Sequence, residues 1–193
     1  DAHQSEYVGG YWKARAYISG FTGSAGTVVV TRDKAACWVD GRYFLQGAEQ
    51  LAGTEIELMK MGEPGVPTYE DWAIAETPAG GTMGVDGRTI GYGQAEALKP
   101  RLAKKQIKLA CKEDLIGMIW TDRPALPEAP IFDLPVSFAG ESRGEKLSRL
   151  RNHMKEIGAD YYLLASLEDS AWLLNYRGGD IQGTPVAYAY TLV

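Results

Sequence analysis

The sequence has little histidine and little cysteine, two of each in 193 residues. With only His3 and His153, no HExxH pair and no Cys-His cluster, it lacks the ligand spacing of a zinc site. No Asp/Glu group has the spacing of a calcium loop either. Cys37, in an apolar stretch, and Cys111, before a charged turn, read as free thiols of a reducing compartment. Positive charge is not in excess: 20 Lys and Arg against 25 Asp and Glu give a net charge of −5, which disfavours nucleic acid and anionic membrane as partners. No apolar run approaches the roughly 20 residues of a membrane span. A signal-peptide pattern is lacking. So is GxSxG, and neither histidine sits where it would serve as the base of a nucleophilic triad.

What is present is the balance of a globular protein, 45% apolar and 23% charged. "ISGFTGSAGTVVVT" (18–31) places Gly20, Gly23 and Gly26 ahead of a β-branched run. A phosphate loop needs a Lys and a hydroxyl after the last glycine, and a dinucleotide fingerprint needs GxGxxG opening a helix. Here the spacing is GxxGxxG and it leads into a strand, so nucleotide binding is not expected. The glycines are expected to allow positive φ and close backbone approach.

"TVVVT" (27–31) and "AACWV" (35–39) read as a hairpin of buried strands. A helix follows, with Tyr43, Phe44, Ala48 and Leu51 on one face, then strand 55–61 and a helix from the Thr68 cap to about Glu76. A strand at 82–86, a helix over 92–106 bent near Pro100, a strand at 107–111 and a short helix at 113–120 come next. "TDRPALPEAPIFDLP" (121–135), with four prolines, reads as the linker. Beyond it lie a helix over 143–159 stopped by Gly158, a strand at 160–166, a helix at 167–176, a glycine-rich loop at 177–184 and a final strand, "PVAYAYTLV". Alternating strands and helices on both sides of the linker predict an α/β fold twice over. The helix, glycine loop and strand of residues 3–31 rhyme with 167–193, where a strand precedes the helix; the matching strand is expected before Asp1. The chain starts on Asp and stops inside a strand pattern, and is expected to be part of a longer protein.

The strongest candidate for chemistry is Arg42 in "WVDGRYF". It follows a strand that should be central, and side chains at strand carboxyl ends point into the crevice where α/β proteins bind ligands. Its planar fork can grip a carboxylate or a peptide carbonyl. The simpler reading is that Arg42 pairs with Asp40 or Asp86 and ties helix to sheet. "RGGD" (177–180) reads as a turn, with a rim contact as the alternative.

The segments "DAHQSEY", "ISGFTGSAGT", "WVDGRYFLQ", "LMKMGEPGVPTYEDW", "IWTDRPALP" and "LEDSAWLLNYRGGDIQGTPVAYAY" together resemble the cytosolic, three-domain Xaa-Pro aminopeptidases (aminopeptidase P) of the creatinase/prolidase group. The resemblance runs the length of the chain, in the family's order. It implies two creatinase-like α/β domains, each a mixed sheet flanked by helices. The first would be residues 1–135, its first strand lying before Asp1, and 136–193 would be the incomplete start of the second. It further implies a catalytic "pita-bread" domain outside this chain that holds two divalent metals, commonly manganese, so that no metal and no catalytic residue is expected within these residues. Short peptides with proline at the second position, a homodimer and a cytoplasmic location are implied for the parent. Arg42, matching the family's DGRYF arginine, is implied to bind substrate. Two rival readings are a non-enzymatic, histone-chaperone-type binding module that shares the architecture, and a prolidase or creatinase. The second copy in "RGGD…TPVAY" speaks against the latter, which carry one such domain.

Overall fold

A computed structural model describes residues 1–193. The chain begins with a strap, residues 1–9, and a single 3-10 turn at Gly10–Trp12. Helix α1 (Ala14–Ser19) then ends at Gly20, whose φ of 74° is the left-handed cap that stops a helix without a Cβ penalty. The β-branched run forms β1 (Thr27–Val30), and the polar turn at 31–34 returns it as β2 (Ala35–Val39), antiparallel from Thr27↔Trp38 to Val30↔Ala35. A 3-10 turn, Gly41–Tyr43, leads into α2 (Phe44–Gln50), and β3 (Ile56–Lys60) comes back parallel to β2. Helix α3 (Tyr69–Glu76) is capped by Thr68, which accepts from the Asp71 N–H. Because Asp is shorter than Glu, the Asp71 carboxylate takes the Thr68 hydroxyl (2.7 Å) rather than the cap's backbone.

A second strand–helix–strand unit follows: β4 (Thr82–Gly84), α4 (Tyr92–Ala103) and β5 (Lys108–Ala110), its two strands parallel. Helix α5 (Leu115–Ile119) closes the first half. The second half contains β6 (Phe132–Asp133), α6 (Val136–Ala139), α7 (Arg143–Ile157), β7 (Leu163–Leu164), α8 (Leu167–Leu174), β8 (Tyr176–Arg177) and β9 (Thr191–Leu192). Helix α7 stops at Gly158, as its sequence predicts, and opens on a full capping box between Ser142 and Glu145. The architecture is mixed α/β: a three-stranded sheet β1-β2-β3 containing both pairing senses, flanked by helices, with three two-stranded ladders beside it.

Strand β2 is the spine. Its alternate residues feed two cores: Cys37 and Val39 pack with Phe21 and Leu51 on one face, Ala36 and Trp38 with Met59 and Trp72 on the other. Leu98, Leu102 and Ile107 form a third cluster beneath α4. The second half has its own core of Leu167, Ala171, Tyr176, Ile181, Val186 and Ala187.

Three local expectations change. The α2 face is turned by one residue, since Ala48 is exposed and Gly47 lies against Leu58, close enough that a Cβ would stand 2.9 Å from the Leu58 methyl. The strand expected over 160–166 shortens to two residues. The final strand is confined to Thr191–Leu192, with Val193 exchanging backbone hydrogen bonds with Tyr162. Ahead of it the chain folds onto the glycine-rich loop: the Pro185 carbonyl accepts from Gly178 and the Val186 carbonyl from Asp180, which diverts those carbonyls from a ladder.

Within the second half the Leu134 N–H donates to the Asn175 carbonyl (2.8 Å) beside the β6–β8 pair, and the first half meets the second through the strap. In the strap, His3 Nδ1 meets the Ala165 carbonyl (2.7 Å) and the Gly9 N–H donates to the Tyr188 hydroxyl (2.8 Å).

A charged knot fastens the other end of the strap. Arg123 Nε donates to the Tyr11 carbonyl (2.8 Å), and its guanidinium lies 3.7 Å over the Tyr11 ring. Asp114 accepts from Arg123, from Arg88 (2.6 Å) and from the Gly117 N–H (2.8 Å), capping α5. Burial alone would push the Asp114 carboxyl up. The Gly117 hydrogen bond and Arg123 outweigh it and hold the pKa below the ordinary value. A depressed folded pKa stabilises fully above the unfolded value of about 3.9 and is lost as pH falls through the folded value. Urea midpoints are therefore expected to fall between about pH 5 and pH 2 in the wild type, with a flatter acid limb in Asp114→Asn.

Candidate functional site

The site is built on the end of β2. Asp40, extended at φ −82° and ψ 173°, caps the 3-10 turn by accepting from the Arg42 N–H (3.0 Å). The same carboxylate then takes the Arg42 side chain in a two-pronged grip, Nε to Oδ1 (3.0 Å) and Nη2 to Oδ2 (2.9 Å). Hydrogen bonding to Arg42 holds the Asp40 carboxyl below the usual carboxylate range, and Asp40 and Glu6 push the Arg42 pKa upward, so the guanidinium stays charged. Arg42 also sits 5.2 Å from the centroid of the Tyr43 ring. The Tyr43 hydroxyl meets Ser24 Oγ (2.7 Å), and Ser24 donates to Glu6 Oε1 (3.2 Å). The remaining prong, Nη1, reaches Glu6 at the longer distance of 3.3 Å.

One edge of the fork is thus fixed by Asp40, the other carries only the longer Glu6 contact, and the side chain is 59% exposed. An arginine so held can donate from the Glu6 edge to a carboxylate or a carbonyl oxygen that replaces Glu6. Of the two partners open in the sequence, Asp40 is the one that pairs. Asp86 instead grips Arg88, with the same bonds: backbone N–H to Oδ1 (3.0 Å), Nε to Oδ1 (3.0 Å) and Nη2 to Oδ2 (2.7 Å). The tetrapeptide Val-Asp-Gly-Arg occurs at 39–42 and again at 85–88, and each copy opens a parallel strand–helix–strand unit. That repetition was readable in the sequence. The two copies differ in what is left over: Arg88 also bonds the Tyr11 hydroxyl (2.9 Å) and Asp114, tying it into the knot.

Glu6 and Ser24 carry no signal in the sequence, where Tyr43 reads only as part of a helix face; Glu6 reaches Arg42 across 36 positions of chain. In "RGGD" the charges turn inward. Arg177 donates to the Tyr176 carbonyl (2.7 Å), and Asp180 accepts from the Tyr188 N–H (2.9 Å). The glycine stretch at 20–26 presents carbonyls to a cation: Arg15 donates to the carbonyls of Gly23 and Gly26. At Gly26, with φ 155°, a Cβ would stand 2.9 Å from the Trp38 carbonyl. This loop is a tight packing turn with the polarity opposite to a phosphate cradle. Both cysteines are free, Cys37 buried and Cys111 half-buried. His153 is exposed beside Glu156. No group of three or more His, Cys, Asp or Glu side chains is placed to hold a metal ion, and no helix is long and apolar enough to cross a membrane.

A mixed α/β fold with a braced arginine at the end of its central strand defines the class, and sequence comparison agrees: the chain belongs to the creatinase/prolidase N-terminal domain family. The family matches residues 11–114, and a second family of the same description matches residues 122–193. Among particular relatives, the chain is 45% identical over 196 residues to aminopeptidase P2 of Arabidopsis thaliana, covering all of this chain and 28% of that protein. It is 42% identical to a probable Xaa-Pro aminopeptidase P of Laccaria bicolor, covering all of this chain and 30% of that protein. A crystal structure of X-prolyl aminopeptidase from Caenorhabditis elegans, described as a cytosolic enzyme with a di-nuclear active site, superposes with a TM-score of 0.92 at 36% identity. It covers all of this chain and 32% of that one, so the chain spans under a third of the length of these relatives.

Proposed function

We propose that these residues are the N-terminal, non-catalytic region of a cytoplasmic, metal-dependent Xaa-Pro aminopeptidase, the enzyme class that hydrolyses the bond between an N-terminal residue and a following proline. The observation that supports this reading is the superposition of the whole of this chain on the C. elegans X-prolyl aminopeptidase. On this reading, residues 1–135 form the first creatinase-like domain and residues from 136 begin the second. Together they wall the cleft and admit short peptides with proline at the second position. Arg42 contributes the substrate contact: with one edge held by Asp40, its other edge exchanges the longer Glu6 contact for an acceptor of the peptide beyond the scissile bond. The catalytic metals, two divalent ions of which manganese is the expected species, belong to a domain outside this chain, and the parent enzyme is a homodimer. When bound, such ions activate water for the hydrolysis. The residues here bind and orient.

The test is release of the first residue by the full-length protein loaded with manganese. The reading predicts release from a peptide with proline at the second position and none from a control with alanine there. Histone binding without hydrolysis would replace this reading with that of a non-enzymatic module.

A further inference from the structure

The strap of residues 1–9 does more than cross the surface. The hydrogen bonds and ring contacts that run from residues 1–123 to residues 132–193 all start in it, at Ala2, His3 and Gly9. Its other side chains are held by the first half: Gln4 donates to the Thr89 carbonyl (3.0 Å), and Glu6 accepts from Arg42 and Ser24. Just beyond it, Tyr11 is gripped by Arg88 and Arg123. The covalent tether between the halves is the proline-rich linker, whose end at Phe132–Asp133 already pairs with β8 of the second half. The first half, which carries Arg42, is therefore held on the second by that linker and by the strap.

His3 is the pin of the strap. A carbonyl oxygen only accepts, so the 2.7 Å contact to Ala165 places a proton on His3 Nδ1. The ring also stacks on Tyr190, with 4.3 Å between centroids and 29° between planes, and lies 5.8 Å from the Tyr188 ring. The backbone that carries it is a tight turn. The Asp1 carboxylate accepts from the N–H groups of His3 (3.1 Å) and Ser5 (2.9 Å), and the Gln4 N–H donates to the Asp1 carbonyl (3.2 Å). One stiff turn thus connects the His3 ring to Glu6 and the edge of Arg42.

Gly9 is a second seat. It is buried, its N–H donates to the Tyr188 hydroxyl (2.8 Å), and a Cβ there would stand 2.9 Å from the Asp180 carbonyl oxygen. The "RGGD" turn, which the established activity leaves without a task, is the surface on which the strap backbone rests.

We propose that His3 is a positioning residue for Arg42, a role that rests on the substrate contact proposed above for that arginine. Docked on Ala165 and Tyr190, His3 fixes the first half against the second. Undocked, it leaves Arg42 on a domain held by the linker alone. A peptide then has to order the two halves as it binds, an entropic cost that falls on KM rather than on kcat.

A kinetic double-mutant cycle on the full-length enzyme with a short Xaa-Pro peptide tests this. His3→Ala is expected to raise KM about 5- to 10-fold with kcat little changed. It should also free the Gly9 amide to exchange while the Leu167–Val186 core keeps its protection. His3→Asn, whose amide donates from the place of Nδ1, is expected to recover most of the KM. In an Arg42→Ala background, His3→Ala should raise KM by less than about twofold, because no guanidinium remains to be positioned. Should His3→Ala fail to fold, Gly9→Ala, which wedges the strap off Asp180 without touching His3, is expected to give the same rise. A wild-type KM in these strap variants, or effects of His3 and Arg42 that multiply, overturns the proposal and leaves the Arg42 reading standing. Wild-type kinetics for Arg42→Ala alone would instead sink that reading, and the proposal with it.

Discussion

Replacing Lys146 by alanine is expected to destabilise the second half by about 3 kcal/mol, because a buried acceptor loses its donor at about 1–3 kcal/mol, a part-buried one loses a further hydrogen bond, and the packing of the stem goes with them. Lys146 is 3% exposed, and no carboxylate pairs with it. Its ammonium donates to the Trp172 carbonyl (2.8 Å) and to Asn175 Oδ1 (2.7 Å), and it lies 4.3 Å from the centroid of the Trp172 ring. These groups are the carboxyl end of α8, where the helix dipole favours a cation, and Asn175 is its left-handed cap at φ 51°. The Asn175 amide in turn donates to the Glu141 carbonyl (2.8 Å), so one lysine braces α7, α8 and the connection between β6 and α7. Lys146→Met keeps the packing of the stem and isolates the ammonium. It is expected to lose about 2 kcal/mol, less than alanine. Amide exchange in the Leu167–Val186 core, followed in increasing urea, reads both values. A loss within about 0.5 kcal/mol for alanine, the range of ordinary surface changes, would contradict the brace.

Trp38→Ala is expected to cost about 3–5 kcal/mol, the range for removing a large aromatic from a packed core. Trp38 is fully buried, with its ring edge-on to Trp72 at 5.4 Å between centroids, and its indole N–H donates to the Pro67 carbonyl (2.8 Å). The consequence reaches past stability. Asp40 and Arg42 sit immediately after this strand, so loosening β2 also loosens the turn that aims the guanidinium. Trp38→Phe retains most of the packing but leaves Pro67 without its donor, and should fall between wild type and alanine. Calorimetry on the full-length protein separates the three. Equal midpoints for alanine and wild type would show that β2 is not the spine described.

Much of this was legible because it depends on local rules. The hairpin of β1 and β2 follows from two β-branched or apolar runs around a polar turn, and α7 from an apolar face and a glycine stop. The polar bracing was less visible. A lysine on a charged helix looks solvated, and Ile157 looks like core; the structure buries Lys146 against an acceptor cluster 26 to 29 positions away and leaves Ile157, the last residue of α7, exposed. The long strands expected at 160–166 and 185–193 failed for a related reason. Their alternation is real, but the carbonyls at Pro185 and Val186 are spent on the glycine-rich loop. At the site, the Asp-Gly-Arg turn and its arginine could be picked out, while Glu6 could not, since its contact is long-range.

The most direct test of the account is the steady-state kinetics of Arg42→Ala in the full-length enzyme with a short Xaa-Pro peptide as substrate. The account predicts a rise in KM equivalent to about 1–3 kcal/mol, the loss of a charge-assisted hydrogen bond, with kcat little changed and the fold intact. Kinetics identical to wild type would contradict it and leave Arg42 as no more than the tie between strand and helix.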